Sequence, residues 1–218
     1  MNKTTNISSK RLATPKGAKK RSYHHGNLKE AIISAALKLV AKRGPRGFTL
    51  SEAAQSAGVS VAAPYRHFAD KEALLATIAE EGFARLGEVL ASASTLSNAD
   101  PLTRLIDTGV AYVHFAIEKP AHFLVMFESG IDKKRYPGLL NQATQAFEIL
   151  TSTVKEVIRG SGETDAETLT AAAWSLMHGL AVFVLDDTFS RLKFQKPTEV
   201  LVQDSMRVLL HSKISRPQ

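Results

Sequence analysis

The sequence predicts an all-α protein, and three observations carry that prediction. Apolar residues recur at the spacing of one helix face over most of the chain, with no stretch alternating at the two-residue period of a strand. Helix-opening signals recur as well: Thr49 three residues before Glu52, Asp70 before Lys71, Asp100-Pro101, Tyr136-Pro137 and Pro197. Breakers separate the periodic stretches, at Gly44-Pro45-Arg46-Gly47, near Pro120 and at Gly160-Ser161-Gly162. No internal repeat stands out.

Taken in order, residues 1–22 form a Ser/Thr/Lys-rich arm with almost no apolar content, expected to be disordered in the free protein. Asn27 or its neighbour opens a first helix, Leu28 to Arg43, whose Leu28, Ile32, Ala35, Ala36, Leu39 and Val40 make one buried stripe. The next stretch, Phe48 to Phe68, reads as two short helices across a tight turn. Thr49 and Glu52 form a capping box; Ala53, Ala54 and Ala57 permit close packing; Gly58 supplies the backbone freedom of a helix C-terminus. Ser60 suits the N-cap of a second helix carrying Tyr65, Arg66 and His67 before Phe68 returns to the core. Pro64 disturbs that helix. It removes the first intrahelical N–H bond and biases Ala63 away from helical geometry, so the helix is expected to start late or bend. Helix, glycine turn and capped helix with donor side chains describe a helix-turn-helix, whose second helix enters the DNA major groove.

At these residues the chain resembles the tetracycline-repressor (TetR) family. The resemblance rests on Phe48-Thr49-Leu50, Ala54, Ala57-Gly58-Val59-Ser60, Tyr65-Arg66-His67-Phe68 and Asp70-Lys71-Glu72-Ala73-Leu74-Leu75, and it covers roughly Tyr23 to Leu75. It implies a three-helix DNA-binding domain over residues 23–72 and a helical regulatory and dimerisation domain over 73–218, joined by the long helix that Asp70 caps. It further implies that Tyr65 and His67 meet phosphate or base edges and that Lys71 reaches a phosphate. Thr49, Leu50 and Ser51 would lie where the first helix of the motif meets the DNA backbone. Ser60, Val61, Ala62 and Ala63 begin the reading segment. Val61, Ala62 and Ala63 can touch a thymine methyl but cannot form bidentate base pairs, so specificity would lean on Ser51, Tyr65, Arg66, His67, the arm and DNA shape. Thr49 and Ser60 are equally explicable as caps.

Charge points the same way. The net +7 of the 218 residues is uneven. Residues 1–25 hold seven basic side chains and no acid; residues 26–72 hold seven basic against four acidic, and residues 73–218 fourteen against seventeen. A basic third beside a mildly acidic remainder is the footprint of phosphate binding, although residues 1–20 taken alone are equally explicable as a solubilising tail.

The second half continues as helices. Leu105, Ile106, Val110, Val113 and Ile117 share one, an apolar segment His122 to Phe127 precedes a charged turn at Asp132–Arg135, and Leu139 to Ile158 make another. Residues 164–187 form the most apolar helix, and Val200 to Leu210 the last. Trp174 with His178-Gly179, and the upstream Tyr136-Pro137-Gly138-Leu139-Leu140, is similar to one class of regulatory domains in this family. That resemblance implies a homodimer joined through residues 164–187 and 198–213, which are apolar over too much of their circumference for a lone surface helix. It also implies a small apolar or amphipathic effector. Tyr112, Phe115, Phe123, Phe127, Phe147, Trp174 and His178 are the candidate ligand-binding residues, although each aromatic taken singly is as well explained by the core. His122 and Met126, four apart, read as core rather than metal ligands.

Other function classes find little purchase. With no cysteine, disulfides, zinc–thiolate sites and cysteine nucleophiles are excluded. No phosphate-cradling loop, metal-binding His-Glu pattern or serine elbow supports an enzyme, and no metal or cofactor is expected. No run of 18 apolar residues suggests a membrane span and no secretory signal is evident, so a cytoplasmic protein is expected. The expected function is a ligand-released repressor acting on a palindromic double-stranded operator. An activator of the same fold, or a dimeric interaction module that has lost DNA binding, are the alternatives.

Overall fold

The structure, a computed structural model, describes residues 28–95, 100–159 and 165–214, with side chains to residue 210 in the last segment. The basic arm, Tyr23 to Gly26, the Asn27 helix start and the Gly160-Ser161-Gly162 stop lie outside the described residues. All regular elements among the described residues are helical: α1 (Leu28–Arg43), α2 (Leu50–Ser56), a 3₁₀ turn (Ala63–Arg66), α3 (Lys71–Thr95), α4 (Pro101–Glu118) and α5 (Pro120–Glu128). A second 3₁₀ turn (Lys133–Arg135) then leads into α6 (Pro137–Val157), α7 (Ala166–Leu185), α8 (Thr188–Arg191) and α9 (Thr198–Ile214).

The local signals act where the sequence places them. The Thr49 hydroxyl accepts from Glu52 N–H at 3.2 Å while the Thr49 N–H donates to the Glu52 carboxylate at 2.7 Å, closing the capping box at α2. Gly58 takes φ +72°, a left-handed conformation that a side chain would strain. Asp70 and Asp100 accept backbone N–H bonds from the first turns of α3 and α4; Asp165, not among the helix-opening signals read from the sequence, does the same at α7.

The second helix of the motif differs from expectation. In place of an α-helix capped by Ser60 there is one 3₁₀ turn whose first flank is Ala62, with no side-chain cap. The reason is Pro64. An α-helical start would send the N–H of residue 64 to the Ser60 carbonyl, and proline has none. Ala63 N–H takes that carbonyl instead, at 2.9 Å, with the three-residue spacing of 3₁₀ geometry. The Pro64 carbonyl in turn accepts from both His67 and Phe68 at 2.9 Å, ending the turn.

In the second half, α4 is the central helix, packing on α3, α5, α6, α7 and α9. Gly109 is its closest approach: a Cβ there would stand 3.2 Å from Met177 Sδ of α7 and 3.3 Å from Met206 Cγ of α9. Leu105, Val113 and Ala116 on the same helix are fully buried. Arg104 pairs with Glu156 at 2.6 Å, tying α4 to α6 across a partly buried edge. The short α8 is not legible in the sequence; it starts after Asp187, which adopts a left-handed φ of 55° that reverses the chain out of α7.

α7 qualifies the expectation about membrane spans. An 18-residue stretch of this 20-residue helix reaches a mean hydropathy of 1.6, enough by length and composition to cross a membrane, although no uninterrupted apolar run exists. It instead packs on α4, α6, α8 and α9, burying Leu169, Ala173, Met177, Leu180 and Ala181.

His122 of α5 is buried, and its pKa falls to about 4, first through loss of water and then through the nearby Arg85 and Lys119 charges. A histidine kept neutral in the fold binds its proton only in the unfolded chain between that value and its ordinary ~6.5. In that window acid favours unfolding. Stability should therefore fall as pH drops from about 6.5 to 4, with a contribution approaching ~1.4 kcal/mol per pH unit from this group. Urea melts of His122→Gln across that range should show a shallower loss than the native chain. Parallel curves would remove His122 from the account.

Candidate nucleic-acid interface and regulatory cavity

The DNA-reading candidates are presented by a turn that is pinned from beneath. Pro64 and Phe68 are buried, Phe68 to 2% exposure, while Tyr65, Arg66 and His67 between them point outward. Truncating a buried phenylalanine costs ~3–5 kcal/mol, so Phe68 alone is a firm anchor. Tyr65 is 58% exposed, and neither it nor Arg66 makes a side-chain hydrogen bond or ion pair among the described residues. The His67 ring meets that of Phe68, at 6.3 Å between centroids. Val61 and Ala62 are exposed and Ala63 half-buried beside them.

The remaining candidates are more occupied than the sequence suggests. Leu50 is a core side chain at 6% exposure, so it has no apolar surface to offer. The Thr49 hydroxyl, besides accepting from Glu52 N–H, donates to the Glu52 carboxylate at 3.0 Å. That carboxylate also holds Arg43 at 2.9 Å, and this guanidinium, more than the cap bonds, keeps the Glu52 carboxyl below its usual range. Ser60 is exposed and contributes its carbonyl rather than a capping hydroxyl. Ser51 is half-buried. Lys71 folds back on the α1–α2 turn: its ammonium donates to the Arg46 carbonyl at 3.2 Å and lies 4.5 Å from the Phe48 ring centroid. Burial lowers its pKa, with Glu52 acting in the opposite sense.

A cavity of about 340 Å³ sits between α3, α4, α6 and α7. Four of the seven ligand candidates line it, namely Tyr112, Phe127, Phe147 and Trp174. Phe115 and Phe123 are buried core residues outside the lining. His178 stands behind the wall. Its Nδ1 lies 2.9 Å from the Tyr112 hydroxyl, which donates when that nitrogen is the unprotonated one. The imidazole also stacks on Phe123 at 5.3 Å and meets the edge of Phe127 at 4.8 Å. Burial raises the Tyr112 pKa, slightly offset by a hydrogen bond from Trp174, and burial lowers that of His178, so the pair is neutral.

Sequence reasoning missed the other wall. Phe83, Leu86 and Leu90 of α3 and Met177 of α7 face the cavity, as does Lys133 from the second 3₁₀ turn. The 83, 86, 90 spacing marks one helix face, but a stripe of that kind does not reveal whether it meets a packed neighbour or a void.

Contacts among the described residues also tie α1, the α1–α2 turn and α3 to the second half away from the cavity. Arg135 beside Tyr136 pairs with Glu72 in the first turn of α3 at 3.0 Å. Arg46 reaches the Glu128 carbonyl at 3.4 Å. Gly138 lies so close to Glu80 that a Cβ would come within 2.7 Å of its carboxylate oxygens. α1 also packs on α5.

Comparison with known proteins agrees with this architecture. Residues 32–78 match the family described as bacterial regulatory proteins, tetR family, and residues 105–209 match the tetracyclin repressor-like C-terminal domain. An uncharacterized HTH-type transcriptional regulator, YobS of Bacillus subtilis (strain 168), is 24% identical over 168 residues, spanning 76% of this chain and 83% of YobS. A protein of unknown function from Rhodococcus sp. RHA1 superposes with a TM-score of 0.72 at 26% identity, covering 88% of this chain and 98% of its own. The TetR-family regulator PfmR of Thermus thermophilus shares the fold, with a TM-score of 0.66 at 20% identity over 83% of this chain and 97% of that one. With an exposed turn of donor side chains held by buried neighbours at one end, a helical domain at the other and the family's sequence pattern in both, the chain belongs to the TetR family of DNA-binding transcriptional regulators.

Proposed function

We propose that this regulator is a homodimeric repressor, released from a palindromic operator when a small apolar or amphipathic effector enters the cavity. The observation that carries the DNA half is the outward set Tyr65, Arg66 and His67. These are donor side chains on a turn that two buried neighbours hold in place, and they have no hydrogen-bond or ion-pair partner among the described residues. Such groups contribute little to the fold and are free to meet phosphates and base edges. Lys71, Ser51 and the exposed start of the turn, Ser60 to Ala63, complete the surface. Lys71 would exchange its carbonyl partner for a phosphate on binding. Residues 23–72 then act as the reading unit, 73–218 as the regulatory unit, and the protein works in the cytoplasm with its DNA.

The cavity supports the effector half. It falls within the size range of small-molecule sites, with aromatic and aliphatic walls. One wall is α3, the helix that begins directly behind the reading turn. A ligand that needs Phe83, Leu86 and Leu90 to shift would move the far end of that helix as well. At ~1.5 Å per residue its 25 residues span ~37 Å, long enough to amplify a small tilt. The ligand must favour the tilted state to have this effect.

Dimerisation would use the faces of α7 and α9 that the protomer leaves uncovered. Phe183 is 48% exposed and Val208 73%. Only about a third of the most apolar window of α7 is buried within one chain. Apolar surface of that extent on a soluble helix marks an interface. Two reading turns would then enter major grooves ~34–36 Å apart.

Both surfaces can be tested by substitution. Tyr65→Ala and Arg66→Ala should each weaken binding to the chain's own upstream DNA by about tenfold or more, the scale of one lost specific contact, without changing the melting temperature. Fluorescence anisotropy across a salt series measures this, and Arg66→Ala should also flatten the salt dependence. Affinities equal to wild type in both variants would refute the reading surface. Separately, the double variant Phe183→Asp, Val208→Asp should sediment as a folded monomer at micromolar concentration where the native chain is a dimer. An unchanged mass would place the interface elsewhere.

A further inference from the structure

The cavity wall is apolar and aromatic except at one point. Among the described residues Lys133 is the only charged one that lines it, and no carboxylate does. The other polar lining groups are already engaged: Thr144 donates to the Leu140 carbonyl at 2.9 Å, and the Tyr112 hydroxyl is taken by His178. Lys133 is half-buried, its ammonium 5.6 Å from the Phe83 ring centroid, and among the described residues it makes no ion pair. Three other basic side chains have partners. Arg135, two residues on, holds Glu72; Lys71 holds a carbonyl and the face of Phe48; Arg104 holds Glu156.

A lysine that merely covers apolar surface runs its stem along the protein and turns its head to open water. Here the head stays over an aromatic ring at a cavity mouth, where removal of water strengthens attraction to an anion. We propose that Lys133 is the head-group site of the effector cavity, and that the ligand is an amphiphile with one carboxylate or similar monoanionic head and an apolar body. Decanoate, a carboxylate head on an apolar body, is a probe of that class. The inference rests on the effector reading of the cavity. It adds the charge of the ligand and the residue that meets it.

The chain supplies its own probe, because Trp174 is its single tryptophan and lines the cavity. The full-length protein is titrated with decanoate and with decanol, and with the same pair at chain lengths of about eight and twelve carbons, following Trp174 emission. Lys133→Met is then treated alike after its melting temperature is shown to match wild type. The proposal expects decanoate to bind wild type about tenfold more tightly than decanol, a difference of ~1.4 kcal/mol, and Lys133→Met to lose that preference while keeping its decanol affinity. Equal affinity of acid and alcohol for wild type, or a preference that survives in Lys133→Met, overturns the head-group assignment and leaves the cavity standing. No change in Trp174 emission and no calorimetric heat with any of the six ligands overturns the cavity as an effector site, and this inference with it.

Discussion

The structure depends on the continuity of one helix. α3 starts one turn behind the reading residues, with Asp70 Oδ1 accepting from Ala73 N–H at 2.8 Å, and runs unbroken to Thr95. Along it, Leu74, Leu75 and Ile78 are buried, then Phe83, Leu86 and Leu90 serve both the core and the cavity. It packs on α4, α5 and α6, with α6 the most extensive partner. An intact α-helix resists bending because each backbone N–H is committed four residues back. A displacement at residues 83–90 would therefore be carried to residue 71 with little loss. The Arg135–Glu72 pair adds a second hold on the same first turn, from the 3₁₀ turn that also carries Lys133. An exposed pair of this kind is worth ~0–1 kcal/mol, weak enough to be exchanged during a conformational change.

Charge and polarity divide the same way as the fold. The basic excess lies in residues 1–72 and the acidic excess beyond them, a division along the chain that is the footprint of phosphate binding. The cavity end is electrically quiet. Burial keeps the Tyr112–His178 pair neutral, and the aromatic side chains around it are packed edge-to-face or stacked at 4.8–6.3 Å. In such surroundings a single ammonium is the dominant electrostatic feature, which gives Lys133 its weight.

Much of this is legible in the sequence because it is local chemistry. The capping box at Thr49, the left-handed Gly58 and the aspartate caps of α3 and α4 are decided by residues within four positions of one another. The α1 stripe follows from periodicity alone. What is not legible depends on partners distant in sequence. The sequence puts Lys71 on a phosphate but does not show that its ammonium rests on the Arg46 carbonyl beside the Phe48 ring, more than twenty residues upstream. Leu50 reads with its polar neighbours, yet helix phase turns it inward. The α3 wall of the cavity reads like any core stripe, since a void is a property of several helices together. Pro64 announces a disturbance but not a 3₁₀ turn, because that outcome depends on which N–H reaches the Ser60 carbonyl.

The central claim is that filling the cavity re-aims the reading turns through α3. It can be tested without knowing the effector, since Ala143→Phe would occupy part of the cavity from the α6 wall. The chain has no cysteine, so Ala69→Cys accepts a single nitroxide label beside the reading turn, and pulsed electron spin resonance gives the distance between labels across the dimer. On upstream DNA the account predicts a narrow distribution consistent with reading turns ~34–36 Å apart. In Ala143→Phe without DNA it predicts a displaced distribution and weakened operator binding. The same distance and the same affinity in both proteins would contradict it.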